Sequence, residues 1–210
     1  GESEGTYFIC MEYIGGGNLT DLLRQQGRLA PDTTLNLILD VARGLEYAEA
    51  QKIVHCDIKP DNIMVTEEGR AKIADLGISR RLDEDVGKKQ DQVLGSPHYM
   101  APEQAQGKAV DCRTDLYSLG CTAFRMLTGR TPFTGATSAE IMKKQVLEAP
   151  AEIQEAAPEV SDALAAVVRK LLEKDPAKRY PSAGELIKAL NEIRSQPARR
   201  KGSAAPAAVS

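Results

Sequence analysis

The segment DLYSLGCTAFRMLTG, residues 115–129, constrains the fold most strongly because apolar side chains would cover nearly every face of a helix. Such a helix must be surrounded by other elements, and it is too short to cross a bilayer, which takes about 20 apolar residues. The sequence therefore predicts a mainly helical domain built around this segment, with Thr114 as the N-cap.

Length, composition and charge describe a globular domain with room for one large core. The chain has 210 residues, of which 42% are hydrophobic and 27% are charged. A net charge of −3 favours neither a nucleic-acid nor a membrane-surface partner. The four cysteines are widely spaced, which argues against a zinc site or disulfide framework and favours a reducing, cytoplasmic setting. No apolar run suits a membrane segment, and anchoring of a longer parent chain through a downstream segment is left open.

A strand, two helices and a hairpin are predicted in the first half of the chain. Residues 6–14 are apolar, aromatic and β-branched, which predicts a buried strand. Asn18 can cap a short helix, and apolar spacing predicts a longer helix over residues 32–50. The runs NIMVT and AKIAD then predict a β-hairpin in which Gly69 makes the turn.

Capping residues predict three further helices after the central one. Thr137 with Glu140, and Ser182 with Glu185, fit capping boxes, in which each side chain satisfies a backbone N–H group at the start of a helix. Ser161 is expected to open another helix.

Two segments are predicted to lack regular structure. Residues 79–99 form a long polar loop, of a kind that is usually functional. Residues 195–210 are rich in Pro, Ala and Ser, which predicts a disordered linker and leaves residues 1–194 as the folded domain.

The stretch IVHCDIKPDN, residues 53–62, carries the most chemistry because it gathers three different polar groups in one loop. The carboxylate of Asp57 can accept a hydroxyl proton, the cation of Lys59 can neutralise phosphate charge, and the amide oxygen of Asn62 can bind magnesium. The hairpin returns the chain to ADLG, where Asp75 can supply a second magnesium ligand. This set of groups favours phosphoryl transfer.

Each of these residues alone is more often an ordinary surface residue, but the set is hard to obtain by chance. Four specified positions in one window, counting His55, recur about once in 10⁵ windows when each residue type has a frequency of roughly 5%. Asp75-x-Gly77 and the run at residues 101–103, Ala-Pro-Glu, then follow in the order that protein kinases use.

On these motifs the chain resembles the C-terminal lobe of a eukaryotic-type Ser/Thr protein kinase, of the kind also found in bacteria, over residues 7–194. The resemblance implies a protein-kinase-like α+β fold, with a mainly helical C-lobe, a hinge strand, a small β-hairpin and a truncated N-lobe. It also implies ATP and Mg²⁺ as cofactors and a protein substrate that offers a serine or threonine hydroxyl.

The resemblance assigns a role to each residue of the reaction centre. Asp57 would be the catalytic base, Lys59 would contact the γ-phosphate, and Asn62 and Asp75 would hold magnesium. In the segment GSPHYMAPE, Ser96 would seat the substrate hydroxyl near Asp57 and Lys59.

Adenine-binding residues follow from the likeness of MEYIGGGNL to a kinase hinge. Met11 would be the gatekeeper, the backbone of Glu12 and Ile14 would face adenine, and Met64 would lie beneath the ring.

Four residues would have structural roles in such a lobe. Glu103 would pair with Arg179, Asp115 would hold the backbone of the catalytic loop from the central helix, and His55 would support that loop.

Specificity for Ser/Thr over Tyr is expected from two features of the likeness. Lys59 follows the catalytic aspartate by two residues, as in Ser/Thr kinases, and GSPHYMAPE lacks the proline-containing platform of tyrosine kinases.

Two departures from the family pattern affect the expected activity. Residues 15–17 are glycines but lack the spacing and context of a Gly-rich phosphate loop, and the strand lysine of the N-lobe is also missing, so we expect the isolated chain to be weakly active or inactive. Cys56 replaces the arginine that docks a phosphorylated activation loop, and no hydroxyl residue lies between Ser79 and Ser96. The resemblance therefore predicts a non-RD kinase that does not use loop phosphorylation as its switch.

Two alternative functions remain open from the sequence. One is a non-catalytic pseudokinase or binding module, although Asp57, Asn62 and Asp75 are all present. The other is an aminoglycoside-type small-molecule phosphotransferase, against which Lys59 and Arg179 argue. A sensor domain beyond residue 210 is a further expectation for a parent protein.

Overall fold

The computed structural model describes residues 1–3, 5–8, 10–75, 80–81 and 96–195, with the pair at 80–81 described by its backbone alone. The expectations for Gly77, for Ser79, for most of the polar loop and for the linker beyond residue 195 therefore fall outside the described residues.

The central helix forms as predicted and lies in the middle of the domain. Helix α4, Cys112–Thr128, has thirteen of its seventeen residues buried. It packs against three long helices that bury their apolar faces on it: α2 (Pro31–Ala50), α7 (Asp162–Leu171) and α8 (Ala183–Ser195). The prediction of a buried central helix is confirmed.

The predicted N-cap of this helix is wrong by three residues. Asp111 is the N-cap, and its carboxylate accepts a hydrogen bond from the backbone N–H of Arg113 at 2.9 Å. Thr114 instead occupies the third helical position, where its hydroxyl oxygen accepts from the backbone N–H of Asp111. Asp111 is a better N-cap than Thr114 because its carboxylate both accepts a backbone N–H and lies near the positive end of the helix dipole.

The two predicted N-terminal helices are confirmed. Helix α1, Leu19–Gln26, begins after Asn18, whose side-chain oxygen accepts from the backbone N–H of Asp21 at 2.9 Å. Helix α2 begins at Pro31, because a first helical position needs no backbone N–H.

Short antiparallel strands flank the loop that carries the predicted chemistry. Strand β3, Ile53–Val54, pairs with β6, Arg80–Arg81. Strands β4, Ile63–Val65, and β5, Ala71–Ile73, form the predicted hairpin. Gly69 turns the chain between them with a φ of 74°, a backbone conformation that favours glycine. Residues 55–62, which we call the reactive loop, therefore lie between β3 and β4.

The segment predicted as a buried strand, residues 6–14, is not one. Among the described residues of this segment, only β2, Thr6–Tyr7, is strand, and it pairs with β1, Glu2–Ser3. Tyr7 is 81% exposed and Tyr13 is 90% exposed, since the described residues bury little of this segment. The segment is apolar, but apolar composition does not identify the surface against which a strand packs.

Three short or solvent-facing helices complete the described chain. They are α3 (Pro102–Ala105), α5 (Ser138–Leu147) and α6 (Ile153–Ala156). The expected caps at Thr137, Ser161 and Ser182 are confirmed, because each hydroxyl oxygen accepts a backbone N–H three residues later. Within the part of the chain that the structure describes, no helix is long and apolar enough to span a membrane.

Two helical glycines give a matched test of how closely the core helices approach. A Cβ atom at Gly120 in α4 would lie 2.7 Å from the Cβ of Leu171, whereas the nearest atom to one at Gly184 in α8 would be the movable tip of Glu46, at 2.9 Å. We predict that Gly120→Ala lowers the free energy of unfolding by about 1–3 kcal/mol through overpacking. Gly184→Ala should be neutral or stabilising by up to about 1 kcal/mol, since alanine is the better helix former.

Urea unfolding of the 210-residue chain and its two variants measures both values. Equal stability of the two alanine variants would show that α4 and α7 are not packed as closely as the structure has them.

Candidate active site

The reactive loop is fixed by one buried carboxylate. Asp115 of α4, 2% exposed, accepts the backbone N–H of His55 at 2.7 Å and that of Cys56 at 2.8 Å, one on each oxygen. Burial raises the pKa of Asp115 to about 7, and the two backbone donors oppose that rise. The central helix thus holds the loop at the residues just before Asp57.

A second contact holds the same loop from the opposite side. Cys56 has a φ of 66°, a left-handed conformation that costs a non-glycine residue roughly 1–3 kcal/mol. Its N–H donates to Asp115, and its carbonyl accepts from the side chain of Gln104 at 2.9 Å. Sequence reasoning missed Gln104, because nothing in its spacing indicates that it reaches a loop 48 residues away.

His55 joins the reactive loop to the segment that carries Asp75. Its Nδ1 accepts the backbone N–H of Asp57 at 3.3 Å, and its Nε2 lies 3.2 Å from the carbonyl of Ala74. Burial lowers the pKa of His55, which favours the neutral ring. A neutral ring with the proton on Nε2 satisfies both contacts, so His55 is a brace between the two segments.

The three predicted reactive groups lie together. The Nζ of Lys59 is 2.6 Å from the Oδ2 of Asp57, and the amide nitrogen of Asn62 donates to the same oxygen at 3.0 Å and to the Asp57 carbonyl at 2.9 Å. Asp57 and Lys59 are partly buried, so their attraction is screened less than that of a surface pair. These two contacts orient the carboxylate.

The predicted magnesium ligands, Asn62 and Asp75, are brought close by the backbone. The N–H of Ala74 donates to the carbonyl of Asn62 at 2.8 Å, which places Asp75 one residue away. Because the Asn62 nitrogen already donates to Asp57, its amide oxygen is the atom left for a cation. No cluster of three or more His, Cys, Asp or Glu side chains suited to a metal occurs among the described residues. Two oxygen ligands still fit magnesium, which usually keeps several waters and binds substrate phosphates.

The segment around Ser96 faces this cluster. The backbone N–H of Ser96 lies 3.4 Å from the Oδ1 of Asp57, the oxygen that Lys59 does not contact. A turn follows in which the N–H of Tyr99 donates to the carbonyl of Ser96 at 2.9 Å, and the Tyr99 hydroxyl accepts from Arg125 of α4. The segment that begins at Ser96 thus lies against the Asp57 carboxylate.

The predicted adenine residues occupy one edge of the hairpin. Half-buried Met64 on β4 pairs with Asn18, and the N–H of Val65 donates to the carbonyl of Gly17 at 2.9 Å. Gly16 is required there, since a Cβ atom would lie 2.2 Å from the carbonyl of Val65.

The hinge residues themselves lie mostly in solvent. Met11 is 75% exposed, Ile14 is half-buried, and Glu12 pairs with Lys72 of β5 at 2.5 Å. The structure places this segment beside the hairpin, and the assignment of these residues to adenine stays a prediction.

The predicted ion pair between Glu103 and Arg179 is present and buried. The Arg179 guanidinium donates to both Glu103 oxygens, at 2.7 and 2.8 Å, and its side chain is fully buried. Thr114 donates to the same carboxylate at 2.9 Å. The guanidinium also donates to backbone carbonyls, those of residues Arg113, Glu173 and Lys174. This pair joins α3, which follows the Ser96 segment, to α4 and to the chain after α7.

Breaking this pair should be expensive because the remaining charge would be buried without a partner. We predict that Arg179→Met lowers the free energy of unfolding by about 3–5 kcal/mol. The matched control is Arg169→Met, which removes an exposed arginine paired with Glu152 and should cost less than about 1 kcal/mol. Urea unfolding of both variants tests this, and similar losses in the two would contradict the account of the buried pair.

Comparison with known proteins agrees with this geometry. The family model for the protein kinase domain matches residues 2–190. The chain is 37% identical over 197 residues to a probable serine/threonine-protein kinase, CPE1738, of Clostridium perfringens, an alignment that covers 94% of this chain and 29% of that protein. It is 41% identical over 182 residues to a probable serine/threonine-protein kinase, SCO3848, of Streptomyces coelicolor, covering 85% of this chain and 27% of that protein.

A third relative is also similar to this chain over most of its length. The serine/threonine-protein kinase PknA of Corynebacterium glutamicum is 38% identical over 191 residues, covering 89% of this chain and 39% of that protein. The chain thus spans less than two fifths of the length of each of these three relatives. The chain belongs to the protein kinase family, and the three bacterial relatives named above bear the name serine/threonine-protein kinase, two of them as probable.

Proposed function

We propose that this chain carries the reaction centre of a kinase that transfers the γ-phosphoryl group of ATP to serine or threonine hydroxyls of proteins. The observation that carries the proposal is the contact of Asp57 with Lys59 and Asn62 on one oxygen and with Ser96 on the other. Family membership supports the reaction class, and the names of the relatives support the acceptor class.

Each residue has a distinct task in this proposal. Asp57 accepts the proton of the substrate hydroxyl as the hydroxyl oxygen bonds to the γ-phosphorus and the bond to the leaving ADP oxygen breaks. Lys59, 2.6 Å from Asp57, places a positive charge beside the transferred group. ATP supplies the phosphoryl group, and the amide oxygen of Asn62 and the carboxylate of Asp75 would hold magnesium, which would neutralise phosphate charge.

The alternatives receive less support from the same geometry. A pseudokinase would lack one of the acidic or amide groups, yet Asp57 and Asn62 are in contact and Asp75 follows the residue bonded to Asn62. An aminoglycoside-type phosphotransferase would not need Lys59 at the carboxylate of Asp57. It would also not need the Glu103–Arg179 pair that holds the helix after residues 96–100.

Regulation and location are further parts of the proposal. Cys56 carries no cationic group to receive a phosphate, so we expect activity without loop phosphorylation. The loop that would carry that phosphate lies mainly outside the described residues. A cytoplasmic location, a protein substrate and a sensor domain beyond residue 210 stay predictions for the whole protein.

The decisive variant replaces the proposed base by its neutral isostere. In protein expressed from the complete coding sequence, Asp57→Asn should lower the rate of phosphate transfer to a mixed Ser/Thr peptide pool by about 10²–10⁴-fold, because the proton acceptor is lost while the loop keeps its shape. Asp162→Asn, on the exposed start of α7, is the matched control and should keep wild-type activity.

Radiolabel transfer from ATP measures both variants, and thermal unfolding verifies that each is folded. Wild-type activity in folded Asp57→Asn would exclude Asp57 as the base.

A further inference from the structure

One buried side chain on α5 has no explanation in the reaction described so far. Gln145 is 0% exposed, whereas Ile141 is the only other buried residue of this solvent-facing helix. Burying a primary amide is costly unless its donors and acceptor are all satisfied. The contacts of Gln145 are therefore informative about its role.

The amide nitrogen of Gln145 holds the segment that follows Ser96. It donates to the carbonyl of Pro97 at 3.2 Å and to the carbonyl of His98 at 2.9 Å. This segment is irregular, and backbone carbonyls in the interior need partners that no ladder provides here. One amide group thus orients two successive peptide units directly after the residue that contacts Asp57.

The orientation of the amide is set by a second pair of side chains. The Nζ of Lys174 donates to the hydroxyl oxygen of Tyr117 at 3.0 Å and to the backbone carbonyl oxygen of Gln145 at 2.7 Å. Because an ammonium can only donate, the Tyr117 hydroxyl is left to donate to the side-chain oxygen of Gln145, at 2.6 Å. The Gln145 nitrogen must then face the two carbonyls.

The surroundings make this arrangement stiff. The Nζ of Lys174 lies 4.2 Å from the centre of the Phe133 ring and 5.4 Å from that of Tyr117, and the Arg179 guanidinium lies 4.8 Å from the centre of the Tyr117 ring. Burial lowers the pKa of Lys174 to about 8. The network therefore connects the buried ion pair of Arg179 to the segment beside the catalytic carboxylate.

We propose that Gln145 is a positioning residue that sets the conformation of residues 96–100 and thereby the productive binding of the protein substrate. The inference rests on the proposed function and deepens it, since it assigns substrate positioning to a residue outside the reaction centre. Within the described part of the chain, Gln145 is hydrogen-bonded to Tyr117, Lys174 and the carbonyls of Pro97 and His98, and none of these bonds goes to Asp57 or Asn62. Its loss should therefore affect the peptide substrate and leave ATP binding unchanged.

The test uses protein expressed from the complete coding sequence, with ATP and a serine peptide as the two varied substrates. Gln145→Met keeps the side-chain volume and removes the amide. It should raise the KM for the peptide and lower kcat/KM for the peptide by about ten-fold, with the KM for ATP unchanged, because two backbone carbonyls lose their donor. The matched control is Gln154→Met on α6, a partly exposed glutamine whose amide donates to the side chain of Asp162, and this variant should behave as the wild type.

Gln145→Glu provides a second variant if the first does not fold. It keeps the side-chain shape and an acceptor for Tyr117 but turns a lone pair toward the carbonyls, and it should show the same selective loss for the peptide. Equal effects on the KM for ATP and for the peptide, or no effect on either in a folded variant, would overturn the proposal.

A measurement without catalysis separates this inference from the proposed function. In the 210-residue chain, the backbone N–H groups of residues 98–100 should exchange with solvent about ten-fold faster in Gln145→Met than in the wild type. If the wild-type protein transfers no phosphate but this exchange accelerates, the positioning role stands and the proposed function fails. Unchanged exchange in a folded variant overturns the positioning role, whatever the activity.

Discussion

The contact between one buried carboxylate and two successive backbone N–H groups is the interaction on which the site depends. Asp115 accepts from His55 and Cys56, and it does so from the helix that the rest of the domain surrounds. The left-handed backbone at Cys56 is unfavourable by itself, and Asp115 and Gln104 stabilise it by bonding its N–H and its carbonyl. Asp57 follows this bend directly.

The same central helix, α4, also supports residues 96–100, the segment that faces Asp57. Arg125 of α4 contacts Tyr99, and Tyr117 of α4 contacts Gln145, so one helix supports both the carboxylate and the segment that faces it. A rigid support of this kind matters for catalysis, because a displacement of about 1 Å between reacting groups can cost roughly 100-fold in rate. The geometry of the proposed reaction centre therefore depends on the packed core, and the loop residues alone would not produce it.

Sequence reasoning found the residues whose chemistry is local and missed those whose role depends on distant contacts. The central helix, the hairpin and the cluster at Asp57 follow from periodicity, turn chemistry and close spacing, and all three are present in the structure. Gln104 and Gln145 could not be found in this way, because each acts on backbone 47 or 48 residues away and glutamine is ordinary on a helix surface. The buried strand over residues 6–14 failed because a pattern of apolar residues does not show what covers them.

Amide hydrogen exchange at His55 and Cys56, resolved by NMR in the 210-residue chain, tests the central claim most directly. In the wild type, both N–H groups should be protected as strongly as the core of α4, since both donate to a buried carboxylate. In Asp115→Asn, whose side chain has one acceptor oxygen in place of two, at least one of them should lose most of that protection while the N–H of Leu39 in α2 is unaffected. Wild-type amides that exchange at the rate of an open loop, or identical protection in the folded variant, would contradict the account.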